Sequence, residues 1–267
     1  MKDITFGQYY PSHSIVHKLN PAVKILLSIA YIVAVFLVSA DNWYLGFSLC
    51  AIFTVFIAIV AKIPFFKMLK SVNAILFFVL LSAVLQILFN KQGTPLWEGG
   101  FITDKGLLSA GFISLRIILV VLGASLLTFT TSPVEIADGI EVLLMPLKII
   151  RFPVHEFALI ISIALRFIPT LLEETDRIIK AQQARGTDFE GGLFKRAKAL
   201  IPVLIPLLIG SFRRADELAD AMDARCYSGA KKRTKFKKMS LCFGDVLSFI
   251  IIGGLVAGAV LLNGVVL

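Results

Sequence analysis

"SVNAILFFVLLSAVLQILF", Ser71–Phe89, runs for nineteen residues without a charged side chain. As an α-helix it covers about 28 Å, close to the ~30 Å hydrocarbon core of a bilayer. Four more stretches read the same way. Ala22–Ala40 carries one charge, Lys24, near its start. Trp43–Ala61 and Val246–Leu267 carry none, and Leu107–Thr131 carries only Arg116. Hydrophobic residues make up 57% of the 267, with a mean hydropathy of +0.85. Soluble domains hold roughly 45–50% apolar residues. The chain is therefore predicted to be an all-α integral membrane protein with about five transmembrane helices plus long cytoplasmic or interfacial helices.

The loops orient these spans. Asp41-Asn42 is a tight turn without basic residues, whereas "KIPFFKMLK" (62–70) holds Lys62, Lys67 and Lys70 and no acid. In the 90–105 loop, two Lys balance Glu98 and Asp104. Positive charge favours the cytoplasmic side, so the 62–70 turn and the N-terminus are expected there, in the cell membrane. The basic run "KKRTKFKK" (231–238) before the last span agrees, and reads as a stop signal touching lipid headgroups. The net charge of +9 thus sets orientation and lipid contact rather than implying nucleic acid. Residues 1–21 lack the apolar core of a signal peptide, so no cleavage is expected. Cys50, Cys226 and Cys242 show no metal or redox spacing and are expected as free thiols.

Three regions result: a membrane domain, 1–131; a cytoplasmic domain, 132–242, with most of the charge; and a last span, 243–267, packing back on the membrane domain. In the middle region Ser132 and Glu135 form a capping box opening a helix over 133–150. Two long helices follow, 154–186 and 193–225, separated by Gly191-Gly192. Each is apolar first and charged second. Their apolar runs, Phe157–Leu165 and Ala199–Phe212, suit interfacial or buried helices better than full spans. Pro169, Pro202 and Pro206 either bend these helices usefully or merely kink them.

The charged halves repeat at an offset of forty. Asp176 matches Asp216, Ala181 matches Ala221, and Ala184-Arg185 matches Ala224-Arg225. Ile178, Ala181, Ala184 and Arg185 lie on one helical stripe, and Leu218, Ala221, Ala224 and Arg225 repeat it. Small residues admit another backbone, and the arginine fork reaches forward. Glu173/Arg177, Asp176/Lys180 and Arg213/Glu217 are expected i, i+4 pairs. Gly186 suits a left-handed helix end. A basic last turn with a glycine cap is also ordinary in helices, so on physics alone the pair suggests docking of something acidic without requiring it.

Arg116 is a candidate intramembrane polar site, with Gln86 the nearest polar option and snorkelling to the outer surface the plainer reading. Gly254-x-x-x-Gly258 suggests close helix packing.

The N-terminal pattern Ser14-x-x-His17-x-Leu19-x-Pro21-x-x-Lys24, with Tyr10-Pro11 before it, resembles the opening of the transmembrane T components of energy-coupling factor (ECF) vitamin transporters, the EcfT/CbiQ-like family. Ala184-Arg185-Gly186 resembles that family's motif and Ala224-Arg225-Cys226 its second copy. The resemblance covers nearly the whole chain. It implies a non-enzymatic scaffold with no cofactor of its own, ATP being bound by partner subunits. The implied partners are two ABC-type ATPases, each receiving one Arg tip, and an exchangeable small substrate-binding membrane subunit held by the apolar helix faces. Cys226 departs from the family's glycine, which leaves two endings open for the second helix: Cys226 takes the glycine's capping role, or the helix ends differently with Gly229 as the terminator.

Two rivals come from other classes. A self-sufficient permease needs polar or broken-helix sites at midplane, and the first three spans are nearly free of charge. An intramembrane enzyme needs a nucleophile–base pair or metal cluster. His13, His17 and His155 are scattered, and no P-loop, HExxH or GxSxG occurs.

Overall fold

The computed structural model describes residues 9–12, 14–39, 43–90, 103–150, 153–189, 192–227 and 242–264. The expectations that rest on His13, Asp41-Asn42, 91–102, Gly191, Gly229 and the 231–238 run lie outside them. The described residues form helices and no β-strand. In order these are α1 (Ile15–Lys18), α2 (Pro21–Leu37), α3 (Trp43–Val60), α4 (Phe65–Phe89), α5 (Asp104–Thr130), α6 (Pro133–Leu144), a 3-10 turn (Met145–Ile150), α7 (Val154–Ala184), α8 (Leu193–Ala224) and α9 (Phe243–Gly264). The chain divides into two compact units: Thr5–Leu143 with Met239–Leu267, and Leu144–Lys238 with Met1–Ile4.

In the first unit α5 is central. It packs on α2, α3 and α4, and α9 returns against α2 and α3. Tyr31, Val35, Phe47, Cys50, Leu119 and Leu255 meet in its core. Lipid is as apolar as leucine, so close van der Waals packing decides which faces turn inward. The Tyr31 hydroxyl, buried there, bonds Thr54 Oγ1 at 2.7 Å. The outward Phe77, Phe78, Leu81 and Leu85 of α4 are left for lipid. Asn20 caps α2 through its side chain, with Pro21 in the first helical position where a missing N–H costs nothing. The Ser132–Glu135 capping box forms as the sequence predicts: Ser132 N–H donates to Glu135 Oε2 at 3.1 Å, and Glu135 N–H to Ser132 Oγ at 3.3 Å. The helix it opens ends at Leu144 and tightens into the 3-10 turn at Pro146.

Five helices are long and apolar enough to cross a membrane: α3, α4, α5, α7 and α9. The set differs from the expected one in two members. At 17 residues, α2 is shorter than expected, though within the range of spanning helices. The first half of α7 enters the set because the helix runs unbroken through Arg166 and Pro169, so that residues 154–172 make one mostly apolar stretch with Glu156 and Arg166 as its charged residues. On composition it can cross a membrane as well as lie along one. The glycine pair of α9 does not make the expected close crossing. Gly258 lies near Leu49 of α3, but Gly254 faces open space, and α9 packs through Ile252, Leu255 and Ala259.

Candidate functional site

In the second unit α7 and α8 pack against each other. Arg214 donates to Glu174 Oε2 at 2.7 Å, and its guanidinium lies 5.9 Å from the centre of the Phe167 ring. Gly210 makes room for this pair: a Cβ there would come within 3.1 Å of Glu174 Oε1. Pro202 and Pro206 leave α8 unbroken. Pro206 has no N–H, so it strips the Pro202 carbonyl of its i, i+4 partner. The Gln182 side chain, from α7, donates to that same carbonyl at 3.4 Å. The crossing thus uses acceptors and space that the α8 sequence provides.

Glu174 and Arg214 are forty residues apart, the repeat offset itself. This pair thus joins equivalent positions of the two repeats, while the Gln182–Pro202 contact shows that the helices run antiparallel past each other. Arg185 and Arg225 each lie eleven residues beyond that pair, about 17 Å of helix.

Both tips end alike. Gly186 has φ +85°, its N–H donates to Gln183 O at 3.0 Å, and Thr187 N–H donates to Gln182 O at 3.0 Å. Cys226 has φ +59°, its N–H donates to Asp223 O at 2.8 Å, and Tyr227 N–H donates to Met222 O at 3.0 Å. This is the two-bond Schellman cap in both copies. Of the two endings open to the second helix, the structure takes the one in which Cys226 fills the glycine's place. Cys226 takes the glycine's left-handed conformation, because the paired cap bonds offset the steric cost of its Cβ.

Ala181, Ala184, Arg185, Gly186, Ala221, Ala224, Arg225 and Cys226 are all exposed, and Ile178 and Leu218 are half-buried behind them. The stripes are therefore open surfaces. Of the three expected i, i+4 pairs only Arg213–Glu217 closes, at 3.2 Å. Glu173/Arg177 and Asp176/Lys180 do not, since ordering two long exposed side chains offsets the weak attraction in water. Lys195 and Asp188 pair instead at 2.8 Å, tying the α7–α8 link to the start of α8.

In the first unit the N-terminal motif builds a polar knot. Ser14 Oγ and His17 Nδ1 lie 2.7 Å apart, and His17 Nε2 is 3.1 Å from the Tyr10 carbonyl. Lys24, 5% exposed, donates to the His17 carbonyl at 2.9 Å and the Thr130 carbonyl at 3.0 Å. Its ammonium thus sits at the negative ends of α1 and α5. Asp245, 1% exposed, accepts from Asn20 N–H at 3.0 Å and Cys242 N–H at 2.8 Å, joining the starts of α2 and α9. Burial, with Lys24 nearby, holds the His17 imidazole below its ordinary pKa. The sequence pattern shows Ser14, His17 and Lys24 but not the carbonyls they meet. Lone charges at the ends of otherwise uncharged helices, Lys24 and Asp245, were the available signal, since buried charges must pair.

Arg116 does not pair with Gln86. It donates to the Val38 carbonyl at 2.7 Å, and its guanidinium centre lies 4.3 Å from that of the Phe112 ring. Val38 is the C-cap of α2, so Arg116 closes that helix's negative end.

A family model described as CbiQ, cobalt transport protein, matches residues 12–236. Among curated relatives, the energy-coupling factor transporter transmembrane protein EcfT of Clostridium kluyveri is 48% identical over 252 residues, 93% of this chain and 92% of the relative. EcfT of Thermosediminibacter oceani is 43% identical over 264 residues, 98% of each chain. EcfT of Bacillus subtilis is 44% identical over 242 residues, 90% of each. An apolar helical bundle, two matched Arg tips and similarity over nearly the full length of both chains converge: the chain belongs to the family of energy-coupling factor transporter transmembrane proteins, as a multi-pass membrane component of such a transporter.

Proposed function

We propose that the chain is the non-catalytic scaffold that links two cytoplasmic ABC-type ATPases to a small, exchangeable substrate-binding membrane subunit during micronutrient uptake. ATP is bound by the partners, and this chain carries no cofactor. The observation that carries the reading is the pair of exposed Arg tips, capped alike and each eleven residues beyond an ion pair that joins repeat-equivalent positions. Arg185 and Arg225 each enter an acidic groove on one ATPase. A desolvated arginine–carboxylate contact of this kind is worth roughly 2–5 kcal/mol on truncation. Ala181, Ala184, Ala221 and Ala224 let the groove's backbone approach. The exposed stripe Ile201, Leu204, Ile205, Leu208 and Phe212 on α8 supports an apolar seat for the substrate-binding subunit.

The N-terminus lies in the cytoplasm in this reading. Ser12 donates to the Ala61 carbonyl at 2.9 Å and Lys67 lies 4.2 Å from the centre of the Tyr10 ring, which sets the N-terminal segment against the lysine-bearing turn. Basic turns favour the cytoplasmic side.

The test is the double substitution Arg185→Ala, Arg225→Ala. It leaves the protein inserted and uncouples transport from ATP hydrolysis. Normal assembly and transport by the double variant would refute the reading. A native chain that purifies without ATPases yet moves substrate would favour a self-sufficient permease.

A further inference from the structure

At one end of the first unit α2, α3, α5 and α9 surround a cavity of about 400 Å³. Its walls run from Lys24 to Tyr31 on α2, Phe53 to Val60 on α3, Gly123 to Thr130 on α5 and Gly244 to Ile252 on α9, and α1 adds Ile15, Val16 and Leu19. Each wall spans seven or eight helical steps, so the cavity is about 10–12 Å long. It is not closed. Ile15, Phe56, Leu247 and Ile251 line it and are also exposed. On helices this apolar, such a mouth opens onto acyl chains.

The walls select against anything hydrophilic. They carry hydroxyls, but the hydroxyl protons are spent within the protein. Ser28 donates to the Ile25 carbonyl, Ser248 to the Gly244 carbonyl and Thr130 to the Leu126 carbonyl, each at 2.8 Å, and Tyr31 and Thr54 bond each other. Water in a cavity needs several polar partners, and these walls offer too few. One donor remains. The Lys24 ammonium carries three N–H groups and gives two, to the His17 and Thr130 carbonyls. Glu135 and Asp245 lie near enough to balance its charge, so the third N–H suits a neutral acceptor such as an ester carbonyl. Outside, the same end is basic. Lys18, next to Leu19, and Lys62, two residues past Val60, are both exposed. Basic groups between spans at a membrane surface hold anionic headgroups.

We propose that this cavity is a lipid site. It takes one acyl chain of an anionic phospholipid from the surrounding leaflet, with the ester carbonyl on the spare Lys24 N–H and the phosphate held by Lys18 and Lys62. An empty cavity forfeits dispersion contacts along its walls, and an acyl chain restores them without dehydrating any polar group. The lipid thereby completes the packing of α2, α3, α5 and α9 where protein side chains leave it open.

The experiment places the full transporter complex in phosphatidylcholine vesicles holding a small share of phosphatidylglycerol with a photoreactive diazirine in its acyl chain. After irradiation the labelled residues are located by mass spectrometry. Labelling concentrates at Tyr31, Thr54 and Leu127 and exceeds that at Phe77 and Phe78, which face bulk lipid on α4. Ser28→Phe with Ser248→Phe fills the cavity and abolishes labelling there while that of α4 is retained. Lys18→Gln with Lys62→Gln leaves the packing untouched, lowers cavity labelling by about tenfold through the loss of two headgroup contacts, and serves if the filled variant fails to assemble. Cavity labelling no stronger than that of α4, or unchanged by these variants, overturns the lipid site. Equal labelling by a phosphatidylcholine carrying the same tail overturns the anionic headgroup. Exclusion of the phospholipid from the assembled complex, with capture in the isolated chain, also overturns the site and makes the cavity the seat of a partner subunit.

Discussion

Glu174 and Arg214 close an ion pair of 2.7 Å across two helices whose sequences repeat at the same spacing of forty residues that separates the pair. Both side chains are less than one third exposed, and the Arg214 guanidinium also reaches the Phe167 ring. Arg214→Ala is expected to cost about 1–2 kcal/mol, because it leaves a half-buried carboxylate without its charged donor. Glu174→Gln costs less, since the amide oxygen still accepts. Thermal unfolding in detergent with hydrogen exchange along α7 and α8 checks the order.

The two helix ends answer substitution with opposite signs. A Cβ at Gly186 meets no atom, so Gly186→Ala adds only the strain of positive φ, about 1 kcal/mol. Cys226→Gly relieves that strain and stabilises the second tip by about 0.5–1 kcal/mol, less what glycine adds to unfolded-chain entropy. Exchange rates of the Thr187 and Tyr227 amides report each cap directly. Equal responses at both ends would contradict the matched geometry.

Removing the Lys24 ammonium strands two carbonyls inside the protein. Lys24→Met is expected to destabilise the first unit by about 2–4 kcal/mol, seen as a lower melting temperature and faster proteolysis near Lys18 and Thr131.

Arg116→Met trades one carbonyl contact for a better-solvated side chain in lipid. We expect a loss of about 1 kcal/mol or less and transport retained. A variant that is stable but transport-dead would give Arg116 a role beyond closing α2.

His17 makes the knot sensitive to acid. Its folded pKa lies below the ordinary 6.5, so the unfolded chain binds the proton more readily. Stability is then fully present above about pH 6.5 and declines as pH falls through the folded value. His17→Gln flattens the melting temperature between about pH 7 and pH 5. An unchanged slope would place the titration elsewhere.

Sequence periodicity made the spans, the long helices and the capping box legible because each follows from local rules of length, charge and capping. The tips were readable as a repeat for the same reason. Three things were not. The partner of Arg116 is a carbonyl, which no residue type announces. Cys226 accepts positive φ because the cap's hydrogen bonds outweigh its side chain's preference, a balance struck only in three dimensions. Gln182 looks like an ordinary exposed amide until the Pro202 carbonyl is placed opposite it.

The Glu174–Arg214 pair is separated from each tip by the same length of helix, eleven residues or about 17 Å. Gln182 and Pro202 meet nearer the α7 tip and farther from the α8 tip, so the two helices are fastened at two places rather than one. Rods joined twice resist turning about either joint, and a pull on one tip is passed on as a movement of the whole pair.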